Sequence, residues 1–164
     1  MSMTGNVQQN RDLPDFVGIK KYFDTKLTPG QRKDLRKANS PNELALIPAY
    51  YCLIRDFLPD GKWSRDRWSQ AVYLMPFASH SEKAPKLGIL LSKAGVREAR
   101  LFQIIRSEFP NDFIQLRRIL QQIKPAVNWQ QFGEQLFFWN DGQKMHKKGR
   151  AKRQILEDYY LSKK

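Results

Sequence analysis

The sequence predicts an all-α protein, a helical bundle in two lobes, with N-terminal helices followed by a C-terminal bundle. Two apolar seams carry that reading. Phe113, Leu116, Leu120 and Ile123 fall at i, i+3, i+7 and i+10, and Trp129, Phe132, Leu136 and Trp139 repeat the spacing. Residues spaced this way share one face of an α-helix, so each segment has a stripe to bury. The third observation is punctuation. Thr28-Pro29, Ser40-Pro41-Asn42-Glu43 and Asn128 are helix-start signals set between the periodic stretches.

Residues 1–13 are polar and lack periodicity, which predicts a disordered tail. The N-terminal helical lobe is expected over 14–78. It begins with a short helix from Pro14 to Asp24 that buries Phe16, Ile19, Tyr22 and Phe23. Gly18 weakens that helix by about 1 kcal/mol against Ala. Thr28 caps a helix holding Arg32, Lys33, Arg36 and Lys37, with Leu35 its only clearly apolar residue. Like charges four residues apart cost a few tenths of a kcal/mol per pair unless an anion screens them. Ser40 and Glu43 form a capping box that opens an apolar segment, and Pro48 ends or kinks it. Tyr50, Leu53, Ile54 and Phe57 give that segment its buried stripe, and Leu58-Pro59-Asp60-Gly61 is a turn. Ser64 caps the next helix, which turns Trp68, Val72 and Met75 inward. Arg67 stands in its first turn, where the helix dipole disfavours cations, a misfit that points to an outside partner for it.

Residues 79–86 are small and polar and predict a mobile loop between the lobes. The C-terminal bundle spans 87–164. Leu87 to Lys124 reads as two or three helices. Leu101, Ile104 and Ile105 share one face, and Arg100, Gln103 and Arg106 share the opposite one. After the break at Phe109-Pro110, Arg117 lies beside the first seam and Arg118 across the helix from it. Gly133, inside the second seam, allows a neighbouring helix to approach closely. Following the break at Asn140-Asp141-Gly142 comes the densest positive run, with Lys144, Lys147, Lys148, Arg150, Lys152 and Arg153 and no acid. Ile155, Leu156, Tyr159 and Tyr160 then dock a last helix. A basic run held between two packing helices points to phosphate contact.

Charge narrows the function. Lys+Arg is 29 against Asp+Glu 16, a net +13 and a pI near 10.0. Such an imbalance opposes folding by self-repulsion and fits a polyanionic partner. The basic residues recur along the chain rather than on one amphipathic helix, which favours nucleic acid over a membrane surface. No apolar run approaches the roughly 18 residues of a membrane span, and the start lacks a signal-peptide core. Cys52 has no second cysteine to pair with and reads as a buried, inert thiol, so a cytoplasmic setting is expected. His80 and His146 show no metal-ligand spacing, glycine-rich phosphate loops are absent, and the acids are scattered. The expectation is a protein that is not an enzyme and takes no metal and no cofactor.

Over Lys33 to Leu161 the chain resembles the CasB family, the small subunit of the type I-E CRISPR Cascade complex. The resemblance lies in the order and spacing of DLRKANSPNELALIPAYY, GILLSKAGVREARLFQIIRSE, DFIQLRRIL, PAVNWQQFGEQLFFW and RQILEDYYL. It implies an all-helical, non-catalytic antiviral-defence subunit that supports a guide RNA–target DNA hybrid and gives the displaced strand a basic path. The implied partners are guide RNA, target and non-target DNA, the backbone and large Cascade subunits, and a second copy of the chain. Lys37, Arg67, Arg118 and Arg150 fall on the family's strand-contacting positions, with Arg36, Arg117 and Arg153 beside them in the same motifs. Lys37 stands for arginine there, which keeps the charge and loses the bidentate fork. Guide pairing supplies the sequence specificity in such a complex, so the protein needs only backbone contact. The alternative reading is a helix-turn-helix-like DNA-binding regulator, which needs a base-reading helix and a dimer spacing.

Overall fold

The computed structural model describes residues 13–58, 65–140 and 150–161. The N-terminal tail, the turn after Leu58, the Ser64 cap, His146 and the lysines Lys144, Lys147 and Lys148 lie outside the described residues. Among the described residues the chain is mostly helical. The helices are α1 (Phe16–Thr25), α2 (Pro29–Arg36), α3 (Pro48–Ile54), α4 (Arg65–Tyr73), α5 (Leu87–Lys93), α6 (Glu98–Arg106), α7 (Asn111–Ile123), α8 (Trp129–Phe137) and α9 (Arg150–Leu161). Two 3-10 turns, Pro41–Leu46 and Met75–Phe77, and two short strands, β1 (Ser79–His80) and β2 (Ala126–Val127), complete it.

Local chemistry explains most boundaries. Thr28 caps α2 as expected, and more fully. Its hydroxyl accepts from Gln31 N at 3.1 Å, while Gln31 Oε1 accepts from Thr28 N at 2.8 Å, a reciprocal capping box. At Ser40 the expected box does not form. The Ser40 side chain makes no cap bond, Glu43 instead accepts from Asn39 N at 3.1 Å, and the segment winds as a 3-10 turn. Pro48 ends that turn and opens α3. Asn128 caps α8 by accepting from Gln130 N and Gln131 N.

The stretch expected as loop, 79–86, departs from that expectation at its start. Ser79 and His80 pair in parallel with Ala126 and Val127. Ser79 N donates to Pro125 O at 3.0 Å and Ser81 N to Val127 O at 2.9 Å. His80 Nδ1 accepts from Trp129 N at 3.1 Å. Strands of two residues carry no readable alternation, so periodicity could not reveal them.

The core runs continuously through both halves of the chain, from Phe16 and Trp68 to Phe113, Trp129 and Ile155. Helix α8 packs on α1 and α4, and α9 packs on α5. Both apolar seams are used for packing: Phe113, Leu116 and Leu120 are buried, and so are Trp129, Phe132, Leu136 and Trp139. Two glycines set the close approaches. A Cβ on Gly133 would lie 2.4 Å from the Phe16 ring, and one on Gly88 would lie 2.4 Å from the Ile155 carbonyl. The second contact is with backbone, which cannot swing aside.

Candidate nucleic-acid interface

The structure sorts the basic residues singled out in the sequence by what each side chain touches. At the C-terminal end of α2, Arg36 and Lys37 are exposed, where the negative helix end suits cations. Arg118 is exposed on α7. Its neighbour Arg117 is half-buried and turned to the protein. The Arg117 guanidinium donates to Ala38 O, to Arg36 O at 3.2 Å and to the Tyr73 hydroxyl at 3.2 Å. It also lies 5.5 Å from the Tyr73 ring centroid and 4.9 Å from that of Phe77. Much of its five-donor fork is thus spent on carbonyls and a hydroxyl. The consequence is architectural: Arg117 brings the α2 end, some eighty residues earlier in the chain, beside Arg118.

Arg67, in the first turn of α4, lies against the end of α8. Its guanidinium donates to Phe137 O at 3.4 Å and lies 5.2 Å from the Phe138 ring centroid. The carbonyl end of α8 therefore supplies an electronegative partner for a cation that its own helix start disfavours.

On α9, Arg150 and Arg153 are exposed, whereas Lys152 is half-buried. Lys152 Nζ donates to Ser107 O at 2.6 Å and lies 3.3 Å from Asp112 Oδ2. Asp112 is only 1% exposed. Its oxygens also accept from Trp139 Nε1 and from Phe113 N, both at 2.8 Å. This carboxylate joins α7, α9 and the end of α8, and Lys152 is its counter-ion. Arg36, Lys37, Arg118, Arg150 and Arg153 form no ion pair with a described carboxylate.

Sequence reasoning missed one cation. Lys20 is 5% exposed, and its ammonium donates to Asp24 Oδ1 at 3.1 Å and to Met75 O at 3.0 Å. Burial pushes its pKa below the usual lysine value; Asp24 counters this, and Arg36 and Arg32 add repulsion. The signal was available, because Lys20 follows Phe16 by four residues and so belongs to the buried face of α1. Arg32 is half-buried and donates to Leu27 O at 2.6 Å. Among the described residues no cluster of His, Cys, Asp and Glu could hold a metal ion, and no helix is long and apolar enough to cross a membrane.

Residues 31–160 match the family of the CRISPR-associated protein Cse2. The chain belongs to the Cse2 family. It is 30% identical over 151 residues to the Cascade subunit CasB of Escherichia coli K12, an alignment covering 83% of this chain and 87% of that protein. It also superposes with a TM-score of 0.74 and 30% identity on a chain of the crystal structure of E. coli Cascade bound to a PAM-containing double-stranded DNA target. That superposition covers 92% of this chain and 97% of the other. The Cse2 match contains all five exposed cations named above and begins after Lys20.

Proposed function

We propose that this chain is the non-catalytic small subunit of a type I-E CRISPR surveillance complex. In this reading it joins the backbone and large subunits and a second copy of itself in the cytoplasm. It steadies the guide RNA–target hybrid and the displaced strand by sequence-independent backbone contact. The observation that carries the reading is the set of exposed cations on α2, α7 and α9, which lack described carboxylate partners and stand on a single packed core. Cations on rigid helices suit a sugar-phosphate chain, because each displaces condensed counterions without reading a base. Arg36, Lys37, Arg118, Arg150 and Arg153 are the contact residues in this account. Arg67, half-buried against the end of α8, is a further cation in this reading. Arg117 and Lys152 hold the bearing helices in place. Lys147 and Lys148 belong to the same basic run as Arg150, and charge neutralisation of phosphate is their proposed part.

Reconstitution tests this. Mixed with the other Cascade subunits and a guide RNA, the chain should co-elute with the complex and slow the loss of bound target DNA. Failure to co-elute with an otherwise assembled complex would refute the assignment.

A further inference from the structure

A cavity of about 520 Å³ opens beside the α2 end, and distant stretches of chain line it. Lys20 from α1, Arg36 from α2 and Lys124 at the end of α7 bring three cations to it. Among its described lining residues Asp24 is the only acid, and it already accepts from Lys20. Pro76, Phe77 and Pro125 supply apolar wall. Cavities of roughly 300–1,000 Å³ hold one small molecule, and apolar walls with a few convergent polar groups are their usual lining.

Two details go beyond charge. An ammonium has three donors, and Lys20 spends two of them, on Asp24 and the Met75 carbonyl, although it is 5% exposed. Lys124 holds φ at 48°, the left-handed helix-end conformation that glycine or asparagine normally takes. A lysine there sets a cation at the cavity rim at a cost in backbone strain, and such strain collects at working sites.

We propose that this cavity binds a single nucleotide, its phosphate held by Lys20, Arg36 and Lys124 and its ring set against Phe77 and the prolines. Phosphate supplies the charge that Asp24 leaves unbalanced, and a flat ring supplies the apolar contact. An anion here also supplies an attraction that offsets the desolvation and the Arg36 and Arg32 repulsion holding the Lys20 ammonium below its ordinary pKa. The proposal concerns a pocket that shares only Arg36 with the exposed helical cations, and its test uses the isolated full chain and varies Lys124, which is not among them. It therefore stands or falls separately from membership of a complex.

The test is calorimetric titration of the full chain with adenosine monophosphate, adenosine and inorganic phosphate. Adenosine monophosphate should bind at least tenfold more tightly than either fragment. Lys124→Glu should weaken it tenfold or more at an unchanged melting temperature. Lys124→Gly should weaken it while leaving the melting temperature equal or higher, because glycine accepts the left-handed backbone. These rim variants test the site without altering the buried Lys20. Inorganic phosphate binding as tightly as the nucleotide, or Lys124→Glu leaving affinity unchanged, would overturn the proposal. Competition assigns the source. Displacement by an intact single strand but not by an abasic one points to a nucleotide of a bound strand. Displacement by neither points to a free nucleotide, and equal displacement by both contradicts ring recognition.

Discussion

The α2–α7 corner and the start of α9 use the same device with different chemistry. In each, one cation is turned inward and its neighbours are left in solvent. At the corner, Arg117 is held by two carbonyls, a hydroxyl and two aromatic rings, and pairs with no described carboxylate. At α9, Lys152 is held by the buried Asp112 carboxylate. The contrast separates position from charge. Arg117 and Arg118 are adjacent in sequence and identical in type, yet a helix turns them about 100° apart, so one holds the fold and the other faces water.

The largest effect should come from breaking the charged tie. Lys152→Met leaves Asp112 buried without its counter-ion, and chemical denaturation should show a loss of about 3 kcal/mol. Pairing it with Asp112→Asn should recover part of that loss, since the amide oxygen can still accept from Trp139 Nε1. Breaking the neutral tie should cost less. Arg117→Met should lose about 2 kcal/mol, and Arg117→Lys should not restore it, because a point charge cannot replace the planar fork.

Lys20 offers a third, intermediate case that pH can read. Its folded pKa is lowered, so the unfolded state binds its proton more tightly. The resulting cost is full below the folded pKa and fades as pH rises through it. Lys20→Met should therefore gain stability relative to the parent near neutrality, by less than either tie is worth. That gain should shrink as pH climbs into the alkaline range, which pH-dependent melting will show. A gap that is flat with pH would remove burial as its cause.

Much of this was legible from residues alone. Seams at helical spacing gave α7 and α8, and the cap signals at Thr28 and Asn128 set the starts of α2 and α8. The seam put Arg117 beside it and Arg118 across the helix, yet the sequence reading expected both at the nucleic acid, whereas in the structure Arg117 bonds to the protein. Likewise Lys152 precedes Ile155 by three residues, on the face that docks α9. Composition could not make that distinction, because a basic run looks uniform when its helical phase is ignored. The β1–β2 pair was invisible at two residues per strand, and Ser40 shows a cap signal outvoted by a 3-10 turn. The nucleotide-sized cavity is assembled from residues more than a hundred positions apart, a juxtaposition that only tertiary packing creates.

The smallest effects on stability should come from the solvent-facing set. Alanine at Lys37, Arg118, Arg150 or Arg153 should change stability by no more than about 0.5 kcal/mol. The direct test of the account is the salt dependence of single-stranded DNA binding by Arg118→Ala and Arg117→Lys, measured beside their melting temperatures. Arg118→Ala should lower the logarithmic salt slope by about 0.7 at an unchanged melting temperature, while Arg117→Lys should keep the parent slope and melt earlier. Equal slopes for Arg118→Ala and the parent, with the slope falling for Arg117→Lys instead, would contradict it.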